Sequence, residues 1–324
     1  MPFLQVTDFS DGNETPRTFT RALGIMGYMT YNKAIIPDSI VVYREVIQKD
    51  FPTLPIADLK IIGSGEGRVA VLVNDEIVFR IPSNIAGADM QEDIQNTTME
   101  YRILLKLKDL PFQTPHPIYI SPDERYFGYK ILEGKHPNNN LNNQISDEFL
   151  HQWVVARQAI SKQLSLVDAG GLGVPAYSWD LELSQAKSLP DSVLSLEAQS
   201  KLRDDIAYAE AFDVSSELEF THNDLNLDNI LMGSSGEKIT GILDFGDAHI
   251  APRSSDYYVW DKWPHAVMER IDRIAKEQHD EFDVRLAQAI HRIYVGADLY
   301  ESIKQNDTHA IKKYTAELER CYSE

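Results

Sequence analysis

The chain has 324 residues, 43% hydrophobic and 25% charged, enough core for one bilobal enzyme or two modest domains, and the composition argues against disorder. Its formal charge of −19 argues against a general affinity for nucleic acid or anionic membrane, because phosphates are bound mainly by Lys and Arg. The acidic surplus suits a cationic partner, or solubility alone. Cys321 is the only cysteine, Met1–Asp8 lacks the basic and apolar regions of a signal peptide, and no apolar run offers a span, so a reducing cytoplasm is expected.

Residues 1–36 show no clean period and read as an N-terminal extension of unknown role. Pro37-Asp38-Ser39 then supplies a helix start, with Ile40, Tyr43, Val46 and Ile47 at helical spacing before Pro52. Leu59–Ile62 and Val69–Val73 read as strands around a glycine-rich turn, and Asn74-Asp75 makes a hairpin turn into Glu76–Ile81. A helix is expected from about Gln91 to Lys108, followed by a second hairpin of Ile118–Ile120 and Tyr126–Leu132. These five strands and one helix form a sheet lobe, 37–133. Residues 134–324 read as mainly helical. They begin with a polar Asn-rich loop and one helix running from Ser146 to Gly170-Gly171. The exception is a central hairpin, Ile230–Met232 and Ile239–Leu243 around Gly233–Gly236. The fold class is α+β.

The chemistry concentrates in His222-x-Asp224-x-x-x-x-Asn229 and in Asp244-Phe-Gly-Asp247. A hairpin lies between them, so the loop entering its first strand sits beside the exit of its second. Phosphoryl transfer needs a divalent cation on the triphosphate and a base for the attacking hydroxyl. Asn229 and Asp244 offer the hard oxygens that Mg²⁺ prefers, and Asp224 is free to orient the hydroxyl and take its proton. Alternatively, these are turn and cap residues, but two motifs in this order favour the chemical reading.

This segment resembles the catalytic loop and metal hairpin of aminoglycoside phosphotransferases, which share the protein-kinase fold. Asn223, where a protein kinase has Arg, favours the small-molecule branch. The resemblance implies Asp224 as catalytic base, Asn229 and Asp244 as magnesium ligands, His222 as a structural brace and Asp256 as a structural acid. It implies a bilobal kinase-like fold: an antiparallel five-stranded N-lobe and a mainly helical C-lobe carrying catalysis and substrate binding.

In the sheet lobe, Arg80 stands on the third strand where the family usually has Lys, and can hold phosphate in a bidentate way. Its acid partner on the helix is Glu100, with Glu92 as second choice. Gly63-Ser64-Gly65-Glu66-Gly67 follows the first strand, where a nucleotide-covering turn belongs, so Ser64 to Arg68 is expected near the phosphates. Gly128–Gly134 resembles the lobe connector, and Tyr129 and Ile131 are assigned to purine binding.

The order of segments is similar to the aminoglycoside 2″-phosphotransferase branch. That implies transfer from magnesium ATP or GTP to a hydroxyl of an aminoglycoside, a resistance-type activity on a polycation. Candidate acceptor contacts are Asp228, Asp247, Glu269, Asp272 and Glu281, with Tyr257, Trp260 and Trp263 as walls, although acids on helices are usually solvated and such aromatics are usually core. No residue matches the family's late-helix aromatic contact. A kinase for a macrolide, amino alcohol or sugar stays open, since macrolide kinases also carry Arg on the third strand. A nucleotide-binding pseudokinase fits less well, because Asp224, Asn229 and Asp244 are all intact.

Overall fold

The computed structural model describes residues 40–65, 68–83, 85, 91–137, 145–213 and 217–323; residues 1–39, the expected extension and helix start, lie outside them. Helix α1 (Ile40–Asp50) leads into β1 (Leu59–Gly65), β2 (Arg68–Val73) and β3 (Ile77–Pro82). Helix α2 (Gln91–Lys106) precedes β4 (Pro117–Ile120) and β5 (Phe127–Lys130). All pairs are antiparallel, in the order β1-β2-β3-β5-β4. Asn74 and Asp75 both adopt positive φ, at 54° and 57°, which matches the twist of a tight two-residue hairpin.

Period-two alternation decides what each sheet face does. Val69, Val71 and Val73 of β2 and Ile77, Phe79 and Ile81 of β3 pack with Tyr43 and Ile47 of α1 in one apolar cluster. Tyr126 closes that face, its hydroxyl donating to Asp50 at 2.8 Å. The opposite face carries Leu72, Val78, Phe127 and Tyr129 into the larger core shared with the second lobe. Arg80 and Ala70, paired across β2 and β3, belong to this second face. Thus the alternation that buries Phe79 turns Arg80 towards α2 and the cleft.

The second lobe contains α3 (Asp147–Ser161), α4 (Leu166–Gly171), α5 (Asp180–Lys187) and α6 (Leu196–Ala211). The expected single helix over 146–171 is two helices. Lys162 ends the first, and Ser165 starts the second by accepting Asp168 N–H at 3.1 Å. A side chain able to cap a new helix won over continued apolar spacing. Strands β6 (Leu218–Thr221), β7 (Ile230–Met232), β8 (Ile239–Ile242) and β9 (His249–Pro252) follow, then α7 (Ser254–Tyr257), α8 (His265–Glu277), α9 (Val284–Lys304) and α10 (Thr308–Ser323). β7 pairs with β8 as expected; β6 also pairs with β9, which the helical reading had missed. No helix among the described residues is long and apolar enough to cross a membrane.

Candidate active site

The two strand pairs enclose the catalytic segment. Thr221 lies opposite His249 and Ile230 opposite Ile242, so loops 222–229 and 243–248 are held side by side. Leu243 N–H donates to the Asn229 carbonyl at 2.9 Å, and His222 Nε2 lies 3.0 Å from the Leu243 carbonyl. His222 is wholly buried, and burial pushes its pKa below the usual histidine range. From the other side, the Trp153 indole of α3 donates to the Leu225 carbonyl at 2.8 Å.

Asn223 has φ 61°, and its N–H donates to Asp256 Oδ1 at 2.7 Å. That bond fixes the turn presenting Asp224. Burial pushes Asp256 up to about 7, opposed by Arg157 3.6 Å away. Arg157 is itself clasped by Asp280 at 2.5 Å and by Glu219. Asp224 accepts Asn226 Nδ2 at 2.6 Å on one oxygen and Asn229 Nδ2 at 2.7 Å on the other. Asn229 Nδ2 also reaches the Asp224 carbonyl at 2.8 Å. With its amide nitrogen engaged twice, Asn229 turns its oxygen away from Asp224. The carboxylate of Asp244, at φ 63°, begins just beyond the Leu243–Asn229 bond. A carboxylate and an amide oxygen so tied together fit a hard divalent cation.

Across the cleft, Arg80 Nη2 donates to Asp244 Oδ1 at 2.7 Å, and its Nε is 3.3 Å from Glu100 Oε2. Glu100 is wholly buried and its pKa is raised by burial, against the pull of Arg80 and Arg68. Arg68 Nη1 donates to the same Glu100 oxygen at 3.1 Å and lies 3.9 Å from Asp244 Oδ1. Tyr129 is buried beside this cluster, with its phenol pushed up by burial. Ile131 N–H is spent on the Glu76 carbonyl at 2.8 Å, so it is not free to meet a purine as the connector assignment implied. Ser64 lies opposite Val69 at the end of β1; its side chain is outside the described residues.

Beside Asp224 opens a pocket lined by Asn226, Tyr258 and Lys262, and by Tyr294, Asp298 and Tyr314 of α9 and α10. Lys262 is half-buried; burial lowers its pKa, while Asp224 and Asp228 favour its charge. At the pocket floor His291 Nδ1 is 3.0 Å from Asp261 and Nε2 is 3.3 Å from Glu317. Burial opposes its charge, but these partners hold its pKa well above the usual histidine value. Asp261, His291 and Cys321 cluster within reach of a common point, yet Arg292 sits 3.2 Å from the same Asp261 oxygen and Arg320 3.5 Å from the Cys321 sulfur. With His291 held charged between Asp261 and Glu317, its ring offers no lone pair to a metal, and the cluster is an ion-pair network. A larger cavity of about 360 Å³ between α5 and α6 holds none of the catalytic residues.

The acceptor contacts expected from sequence divide. Asp228 is exposed on the pocket side, where its charge acts on Lys262, and half-buried Asp247 adds its charge to the surroundings of Glu100 and His222. Trp260 does not reach the pocket: it is 1% exposed, packed against Trp153 with ring centres 5.3 Å apart. Tyr257 is equally buried, stacked on Phe282. Glu269 is exposed on α8, 3.5 Å from His265, and does not line the pocket; Asp272 pairs with Lys276. Sequence reasoning missed Lys262, Tyr294 and Tyr314. The available signal was the polar, aromatic stripe of His291, Tyr294 and Asp298 at helical spacing along α9.

Residues 58–297 match the model of the phosphotransferase enzyme family, APH. The chain belongs to this family. Among solved structures, this family member is similar to the GDP complex of aminoglycoside 2'-phosphotransferase-IIIa, at 22% identity and TM-score 0.74, over 87% of this chain and 98% of the other. It is also similar to the streptomycin–ATP complex of APH(2")-IIa, at 18% and 0.61, over 86% and 95%. Macrolide 2'-phosphotransferase MphH from Brachybacterium faecium follows at 15% and 0.64, over 87% and 98%. These likenesses are of fold: the kinase-like bilobal architecture expected of an aminoglycoside-phosphotransferase-type chain is present.

Proposed function

We propose that this phosphotransferase moves the γ-phosphoryl group of magnesium ATP or GTP to a hydroxyl of an aminoglycoside. The observation carrying the transfer reading is the division of labour around Asp224. Its carboxylate borders the open pocket, Asn229 of the same loop bonds it through the amide nitrogen, and Asp244 follows on the neighbouring loop, tied to the first by the Leu243–Asn229 bond. Residues 37–133 serve as the nucleotide lobe and 134–324 as the catalytic and substrate lobe. Magnesium held by Asn229 and Asp244 would neutralise triphosphate charge. Asp224 orients the acceptor hydroxyl and receives its proton as the oxygen attacks the γ-phosphorus. The bond to the bridging oxygen breaks with its electron pair, leaving a nucleoside diphosphate. Asn226 and Asn229 hold the carboxylate in place, and Arg80 binds phosphate. The −19 charge and the aminoglycosides named for two of the similar structures support this acceptor, within a reducing cytoplasm.

A second reading rests on Lys262. Lys262, Lys313 and charged His291 line the pocket together with Asp224, Asp298 and Glu317, so its lining has no acidic surplus to draw a polycation. This favours an alcohol with one cationic group or none, such as a macrolide. Nucleotide turnover over a panel of aminoglycosides, macrolides, amino alcohols and sugars tests both. Stimulation by aminoglycosides supports the first reading, stimulation by low-charge alcohols alone supports the second, and stimulation by none rejects transfer to this acceptor class.

A further inference from the structure

We propose that Arg68 is a second phosphate-binding cation of the nucleotide site, held here on Glu100 and Asp244. The inference rests on the nucleotide-site reading above, which expects Ser64 to Arg68 near the phosphates, and gives Arg68 a specific role there. Arg68 opens β2 directly after the glycine-rich turn and faces the same side of the sheet as Arg80, two positions from Ala70. Ala70 lies opposite Arg80 and is small enough to leave room for both guanidiniums. The two converge on one oxygen of Glu100, at 3.1 and 3.3 Å, and on one oxygen of Asp244, at 3.9 and 2.7 Å. Their side chains are 13% and 15% exposed, so both are reachable from the cleft.

The arrangement is balanced only while Asp244 serves the arginines. Once Asp244 turns to a divalent cation, the two guanidiniums keep Glu100 as their one directly paired acid, with Asp247 acting on it only through its charge. A partly desolvated surplus of positive charge then stands beside the cation, and an anion must answer it. A triphosphate does so, because the planar guanidinium fork matches paired phosphate oxygens. Gly246 provides a second, independent mark of this role. A Cβ there would lie 2.1 Å from Arg68 Nη1 and 3.0 Å from its central carbon. The absent side chain lets the Nη1 end of Arg68 reach the backbone two residues after Asp244.

Calorimetric titration of the full chain tests this, comparing magnesium ATP and GTP with adenosine and guanosine. Arg68→Met is expected to weaken the triphosphates by about 10- to 100-fold, the loss of a charged hydrogen-bond pair, and to leave the nucleosides unchanged. Gly246→Ala displaces the guanidinium and shows the same selective loss, while the double variant binds no worse than Arg68→Met alone. Arg68→Lys, which keeps the charge, retains part of the affinity and serves if the Met variant melts early. Equal triphosphate affinity in wild type and Arg68→Met would overturn the proposal, as would parallel loss of nucleoside affinity. A wild type that binds neither triphosphate would overturn the nucleotide-site reading along with it.

Discussion

The side-chain amide of Asn229 donates to both the carboxylate and the carbonyl of Asp224, at 2.7 and 2.8 Å. One residue thereby orients the proposed base with its amide nitrogen and turns its own oxygen away from it. Asn229→Asp keeps an oxygen but sets two carboxylates against each other, which raises the apparent pKa of the pair. The expected result is a fall in kcat of about 10²- to 10⁴-fold at neutral pH. A pH–rate profile checks it: the acidic limb, where the base loses its proton, should move to higher pH than in wild type.

Asp224 and Asp244 should fail differently. Asp224→Asn is expected to lower kcat by at least about 10²-fold with nucleotide affinity nearly intact. Asp244→Asn should weaken magnesium-nucleotide binding first. Titrations of both variants decide this, and equal loss of affinity would refute the division of roles.

Lys262→Met should shift acceptor preference and leave nucleotide affinity alone. Removing a positive charge near Asp224 and Asp228 should raise kcat/KM for polycationic alcohols by about tenfold, if charge sets the preference. Low-charge alcohols should change little. Steady-state rates with one acceptor of each kind measure it.

His291 predicts a pH dependence of stability. Its folded pKa lies above the ordinary value of 6.5, so the stabilisation is complete below that value and is lost as pH rises through the folded pKa. The groups facing it are Asp261, Glu317 and Cys321, with Arg292 beside Asp261. His291→Gln should remove the slope above neutrality and lower stability below it, by less than a fully unpaired buried acid would cost because Arg292 still pairs with Asp261. Denaturant titrations across this pH range supply the comparison.

Gly128→Ala should destabilise the sheet lobe without touching the chemistry. An added Cβ would meet the Phe79 ring at 2.6 Å in the centre of β3–β5. Overpacking of this kind costs about 1–3 kcal/mol, readable as a lowered Tm.

Much of this architecture was legible because local rules and tertiary needs agreed. Asn74-Asp75 accepts the positive φ of a tight hairpin, and the spacing of His222, Asp224 and Asn229 survives because the loop is short and bounded by strands. Glu100 was the preferred partner of Arg80, and the two lie 3.3 Å apart. Other features depended on distances the chain does not encode locally. The break at Ser165 needed a choice between cap and spacing, and Trp260 went into the core because composition cannot tell a pocket wall from an interior ring. The acceptor pocket escaped because Lys262, Tyr294 and Tyr314 come from separate segments that meet only after α9 and α10 pack.

Mass spectrometry of an acceptor panel incubated with magnesium nucleotide tests the central claim most directly. The account predicts one added phosphoryl group on an alcohol acceptor with the wild type and none above background with Asp224→Asn. Product formation that persists in Asp224→Asn would contradict it, as would a wild type that binds magnesium nucleotide and phosphorylates no alcohol in the panel.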